Sequence, residues 1–136
     1  RFREIATAST FLKDNAMKGL DKIKAWIEER NLPHAAVTNA PRLNAVAMLE
    51  GIGCTAFFPT LIIGDECEHA KPHPCPYLTG SDRIKVAAQR CIVFEDSPSG
   101  ARAGVAAGAY VIGVLSGQEE STLMEAGCAM TIRDYE

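Results

Sequence analysis

Two acidic side chains stand next to each other at Glu95-Asp96, directly after the apolar run Ile92-Val93-Phe94. If that run is a buried strand, two carboxylates crowd its mouth, repel each other and need compensation. A hard divalent cation such as Mg²⁺, with its preference for oxygen ligands, supplies it. The pair reads equally well as helix-starting acids, since Asp96 and Ser97 precede Pro98 and negative charge there gains about 0.3–1 kcal/mol. Lys71, in Ala70-Lys71-Pro72-His73-Pro74, has a backbone path constrained by proline. Its ammonium can therefore be aimed at a phosphate or carboxylate, although most lysines are simply exposed. Thr38-Asn39 offer a hydroxyl, an amide and a backbone N–H to a phosphate oxygen, or form an ordinary turn. Cys67, His69, His73 and Cys75 hold both zinc ligand types in a short run. Their intervals are not the two-residue knuckle of a zinc ribbon, however, and the other reading is a polar loop with two thiols.

These residues need elements to position them. Leu20, Ile23, Trp26 and Ile27 recur at helical steps, so the periodicity predicts a helix near 16–30 with one buried face. Asp14 or Asn15 would cap it, and Asn31 with Pro33 would end it. The run 34–38 reads as a buried strand. Pro41 suits the first turn of a following helix, which stops at Gly51 or Gly53. Thr60 to Ile63 is a second strand ending at Gly64-Asp65. A helix near 75–85 follows, weakened by Gly80-Ser81. Cys91 to Phe94 is a third strand. Ser97 is a good N-cap and Pro98 a good first residue for a helix running to Gly108. Tyr110–Val114 is a fourth strand, Ser121 to Ala126 a short helix, and Ala129 to Ile132 a last strand. Short apolar strands alternating with helices predict an α/β fold, a parallel sheet covered on both faces. Ligands in such sheets bind beyond the carboxyl ends of the strands. Here those ends carry Thr38-Asn39, Gly64-Asp65, Glu95-Asp96 and Ser116-Gly117.

Composition narrows the function. The 136 residues suffice for one hydrophobic core. The formal charge is -3 with 14 basic against 17 acidic residues, and no basic stripe occurs, which argues against nucleic-acid binding. No run of 18 or more apolar residues occurs, which argues against a membrane span. The 5 cysteines, odd in number and without CxxC, read as free thiols in a reducing compartment, so a cytoplasmic location is expected. A plastid is the other location considered, should a transit peptide precede the chain. Gly104 and Gly108 do not make a dinucleotide fingerprint after a strand. P-loop and nucleophile-elbow patterns are also missing.

In order along the chain, Ala36-Val37-Thr38-Asn39-Ala40-Pro41-Arg42, Gly64-Asp65-Glu66 leading to Lys71-Pro72-His73-Pro74, and Val93-Phe94-Glu95-Asp96-Ser97-Pro98-Ser99-Gly100 resemble the haloacid dehalogenase superfamily of phosphatases. Ala103-Gly104-Val105-Ala106-Ala107-Gly108 is also typical of it. The chain is similar to the β-phosphoglucomutase-like branch and looks nearest to plant sugar-phosphate phosphatases. The resemblance implies a Rossmann-like three-layer core and a small phosphorylated substrate. It implies that Thr38 and Asn39 shape the phosphate site, and that Lys71 neutralises the charge of phosphate and nucleophile. By the same resemblance Asp96 ligates Mg²⁺, and Glu95 ligates it or holds its water.

One departure stands out. The family's first motif, Asp-x-Asp-Gly-Thr, supplies the nucleophile that becomes an aspartyl-phosphate, and no such run exists here. Asp14, Asp21, Asp65, Asp82 and Asp134 all lie in other contexts. The resemblance implies that the first, central strand and most of the helical cap are missing. Residues 1–15 would be the remnant of the cap's exit and 16–136 the C-terminal part of the core. The expected activity is Mg²⁺-dependent hydrolysis of small sugar or polyol phosphates, with this chain alone inactive. The alternative is a truncated, non-catalytic protein or binding module of the same fold. Cys75 stands where the family often has an acidic residue.

Overall fold

The computed structural model describes residues 18–136, so the expected caps at Asp14 and Asn15 and the cap-exit remnant at 1–15 lie outside the described residues. Helix α1, Leu20–Glu29, follows Gly19, whose φ of 84° is left-handed; no side chain caps it. The chain then alternates: β1, Ala36–Thr38; α2, Arg42–Gly51; β2, Leu61–Ile63; α3, Cys75–Arg83; β3, Ile92–Glu95; α4, Pro98–Ala107; β4, Tyr110–Val114; α5, Glu120–Glu125; and β5, Met130–Ile132. Single 3₁₀ turns at Gly64–Glu66 and Ala88–Arg90 lead out of β2 and into β3.

All strand pairs are parallel, as the βα alternation requires. They form two pieces, β1-β2 and β3-β4-β5. Among the described residues, β1 therefore has a neighbour on one side only, and so does β3. The two open edges belong to the strands that carry Thr38 and Glu95.

The larger piece is held by the small-residue face of α4. Gly100, Ala101, Ala103, Gly104 and Ala107 are its buried positions. Only such small side chains let a helix lie this close to a sheet: a Cβ on Gly104 would stand 2.8 Å from a Val111 methyl. Beneath it Val93, Ala101, Val111, Leu123, Ala126 and Cys128 make one apolar cluster. Fully burying a side chain such as Leu123 stabilises by about 1.5–3 kcal/mol. The smaller piece uses the same device. Gly80 faces Val37 and Ile62, so the Gly80-Ser81 pair does not break α3 but lets it approach β1 and β2.

One expectation fails. Trp26 is 50% exposed rather than buried, because its ring lies under the Arg30 guanidinium at 4.3 Å on the solvent side of α1. The α/β fold with parallel strands is as expected, and among the described residues one face of the β3-β4-β5 piece is less covered than the other. Along β3 the burial alternates, with Val93 and Glu95 inward and Ile92 and Phe94 outward. Ile92 is 60% exposed, and Tyr110 and Met130 on the neighbouring strands are exposed with it. Among the described residues, α4 and α5 pack on the face that Val93 joins, and the other face keeps these apolar side chains exposed. Smaller shifts concern ends: Pro41 precedes α2 rather than opening it, and β1 begins at Ala36. His34, left outside β1, stacks on Phe57 at 4.2 Å.

Candidate active site at the carboxyl ends of the strands

Parallel strands deliver their carboxyl ends to one side of the sheet, and the expected residues meet there. Thr38, Asn39, Lys71, Glu95, Asp96 and Ser97 all line a cavity of about 400 Å³ that continues along β1 past Met48 and Leu61. Three separate stretches of chain thus bring their polar residues to the space between the two open edges.

Lys71 lies at its centre. The ammonium donates to the Glu95 carboxylate at 2.6 Å and to the Val37 carbonyl of β1 at 2.9 Å. It therefore spans the gap between the two sheet pieces. Both side chains of the ion pair are buried, 7% and 8% exposed. A buried pair survives only if its remaining hydrogen-bonding capacity is satisfied. Two further features meet that need. The Tyr77 hydroxyl donates to the same Glu95 oxygen at 2.6 Å, and the Tyr77 ring lies 4.8 Å from the Lys71 ammonium. Burial first, and the Glu95 carboxylate next, hold that hydroxyl protonated far beyond the ordinary tyrosine range.

The loop that carries Lys71 is clamped from β1. Asn39 donates its amide N–H to the Lys71 carbonyl and accepts from the Lys71 backbone N–H, both at 3.2 Å. Thr38 Oγ1 accepts from Ala40 N–H at 3.0 Å, which tightens the turn after β1 and leaves the hydroxyl proton free to donate. Asn39 thus orients Lys71, whereas Thr38 keeps a donor for a ligand.

The two adjacent acids part company. Glu95 points inward, its carboxylate resting against Gly100, where any side chain would overlap it. Asp96 is exposed and accepts from Ser116 Oγ at 3.2 Å. Ser97 caps α4 by accepting from Gly100 N–H at 3.0 Å, with Pro98 in the first turn. Among the described residues no group of three or more His, Cys, Asp or Glu side chains converges on a metal position. The donor set that does exist, one exposed carboxylate with a buried one behind it, suits Mg²⁺. That ion takes one or two protein carboxylates and completes its shell with water and phosphate oxygens.

Sequence reasoning missed three participants. Tyr77 lies six positions beyond Lys71 on α3, with nothing local to mark it. Gly100 belongs to a recognisable run, but its purpose is visible only with Glu95 against it. Tyr135 meets Phe94 edge-on at 5.4 Å, and its hydroxyl is held protonated by burial, then by Asp96 and Glu95. The zinc reading of the second cluster finds no shared metal position among the described residues: the His69 and His73 rings pack against each other instead, centroids 4.4 Å apart and tilted by 38°.

Comparison with known proteins places this geometry. Residues 3–114 match the family model described as haloacid dehalogenase-like hydrolase. The chain is 29% identical over 130 residues to a phosphorylated carbohydrates phosphatase from Thermotoga maritima, covering 94% of this chain and 59% of that protein. It is 31% identical over 116 residues to a phosphoglycolate phosphatase from Escherichia coli, covering 85% of this chain and 44% of that one. Its fold is similar to that of a haloacid dehalogenase family hydrolase from Deinococcus radiodurans, determined with bound phosphate and sodium. There the TM-score is 0.80 at 25% identity, covering 88% of this chain and 55% of the other. The chain thus spans about half the length of the proteins it matches.

Proposed function

The chain belongs to the haloacid dehalogenase-like hydrolases, and from that premise we propose that it forms the phosphate- and metal-binding part of a Mg²⁺-dependent phosphomonoesterase acting on small sugar or polyol phosphates. The observation that carries this reading is the buried Lys71–Glu95 pair, set between two open strand edges with Thr38 and Asp96 on the same cavity. Lys71 places a positive charge where a phosphoryl group gathers negative charge, and that stabilisation is greatest where water is excluded. Thr38 donates its hydroxyl to a phosphate oxygen. Asn39 keeps the Lys71 backbone in register with β1, and Tyr77 keeps Glu95 in register with Lys71. Asp96 would hold the Mg²⁺ directly, with Glu95 behind it holding the ion's water. When bound, the metal neutralises charge on the phosphate oxygens during transfer.

Phosphoryl transfer to a carboxylate, followed by attack of water, is the two-step route the family motifs imply. Among the described residues, the carboxylates on this cavity are Glu95 and Asp96. Glu95 is committed to Lys71 and Tyr77, and Asp96 to the metal. In this reading the nucleophile is the aspartate of the family's Asp-x-Asp-Gly-Thr motif, which the resemblance puts on a strand between β1 and β3 and which this sequence does not contain. In this reading 16–136 is the C-terminal part of such a core. The same absence supports a second reading, a non-catalytic protein of the same fold.

One experiment separates the two readings. Phosphate release from a panel of sugar and polyol phosphates is measured, with and without Mg²⁺, on protein that includes the nucleophile-bearing sequence. Turnover that needs Mg²⁺ and is lost in Asp96→Asn supports the enzyme. Full Mg²⁺-dependent activity in Asp96→Asn sinks the metal assignment, and no turnover on any phosphate favours the non-catalytic reading.

A further inference from the structure

Asp96 stands where the chain leaves β3, directly before the Ser97 cap of α4. Its backbone is fixed from both sides, because Glu95 pairs with Gly113 of β4 and Ser97 accepts from Gly100 N–H. Its side chain is exposed, so packing does not select a rotamer for it. A hydrogen bond from a distant loop does so instead: Ser116 Oγ donates to Asp96 Oδ2 at 3.2 Å. Ser116 is itself set by backbone contacts just past the end of β4. Leu115 N–H donates to the Ile132 carbonyl of β5 at 2.8 Å, and Ser116 N–H donates to the Val114 carbonyl at 3.0 Å. The turn after β4 therefore presents a hydroxyl to the carboxyl end of the neighbouring strand. Asp96 lines the cavity and Ser116 stays outside that lining, so the hydroxyl reaches the carboxylate from behind.

Resting on the metal reading above, we propose that Ser116 is a positioning residue for Mg²⁺ binding: it holds one oxygen of Asp96 and leaves the other to the ion. An ionised carboxylate has acceptor sites on both oxygens, so the bond to Oδ2 does not consume Oδ1. Mg²⁺ takes only one or two protein carboxylates and demands near-octahedral placement, so the orientation of a single ligand weighs heavily. Hydrogen-bond partners behind a metal ligand fix its direction, and their loss lowers metal affinity by about 10–100-fold. The bond from Ser116 is exposed, where water competes for both partners, so the low end of that range is expected.

The test is a calorimetric Mg²⁺ titration of protein that includes the nucleophile-bearing sequence, with melting temperature measured separately in chelator. Ser116→Ala should bind Mg²⁺ about 10-fold more weakly. It should melt where the unaltered protein does, because losing an exposed hydroxyl changes stability little. Ser116→Thr keeps the hydroxyl and should restore the affinity. Asp96→Asn is the reference and should lose far more binding than Ser116→Ala. Unchanged affinity in Ser116→Ala, with binding lost in Asp96→Asn, would overturn this role and leave the metal assignment standing. Weakening that Ser116→Thr does not restore would also overturn it, by showing a disturbed loop in place of a positioning hydroxyl. Undiminished Mg²⁺ binding in Asp96→Asn would overturn the metal assignment, and this role with it.

Discussion

At the scale of residues, the Lys71–Glu95 pair ties stability to function. Lys71→Ala removes the partner of a buried carboxylate, which costs about 3–5 kcal/mol when the remaining charge has no other compensation. The variant should therefore melt lower and also bind phosphate less well, and the two effects must be separated. Lys71→Met with Glu95→Gln replaces both charges at similar volume, so it should regain much of the lost stability and none of the phosphate binding. Thermal unfolding and phosphate titration on single and double variants check this. Recovery of phosphate binding in the double variant would show that Lys71 is structural only. Tyr77 makes a second prediction. A raised tyrosine is neutral in both states below its ordinary value of about 10. Above it the unfolded chain ionises first, so Tyr77 draws stability down as pH rises past that point. Tyr77→Phe should leave the phenolate absorbance that grows in near pH 10 unchanged, because Tyr77 does not ionise there. A loss of that absorbance would contradict the buried hydrogen bond. Lys71, Thr38 and the acid pair were legible in the sequence because chemistry, spacing and strand ends coincide. Tyr77 was not, because its role depends on α3 packing against β1, β2 and α4, and nothing in the five residues between Lys71 and Tyr77 encodes that packing.

At the scale of elements, α4 shows how much local sequence can specify. Ser97, Pro98 and Gly108 mark its cap, first turn and end, and each performs the expected role, Gly108 with a φ of 93°. Ser97→Ala should cost about 1 kcal/mol, within the usual range for a lost N-cap. Gly100 is more severe. Gly100→Ala puts a methyl where the Glu95 carboxylate lies, so either the helix start or the acid must move. Overpacking of this kind costs about 1–3 kcal/mol. If Glu95 is the part that moves, Lys71 is displaced with it. Chemical denaturation should rank Gly100→Ala below Ser97→Ala in stability, and phosphate binding should fall only for Gly100→Ala. Equal binding in both variants would mean that Glu95 does not position Lys71. The helix α1 is the opposite case. Its periodicity gave the right element, but Leu20, Ile23 and Ile27 are only half-buried and Trp26 is outside. A helical stripe says that one face is apolar, not how much of it another element will cover.

At the scale of the whole molecule, the decisive feature is the divided sheet. The strands and their parallel direction were readable from the βα rhythm, but which strands pair was not, since that depends on crossovers that no local pattern records. The family resemblance places one strand between β1 and β3, and the structure leaves the facing edges of those strands open among the described residues. Lys71 bridges the interval through the Val37 carbonyl and Glu95, but one side chain cannot replace a row of backbone partners. Each buried backbone group left unpaired costs about 1–3 kcal/mol, against a typical domain stability of about 5–15 kcal/mol. Left exposed instead, such edges pair with other chains. The open face bearing Ile92, Tyr110 and Met130 adds apolar surface to the same liability. Residues 1–136 prepared alone should therefore unfold without a sharp transition or aggregate, and should release no phosphate from an aryl phosphate with Mg²⁺. Scanning calorimetry and a phosphate-release assay on the same preparation test both parts. A cooperative transition would show that the gap is closed within the chain, and Mg²⁺-dependent turnover would show that one of its own carboxylates serves as the nucleophile.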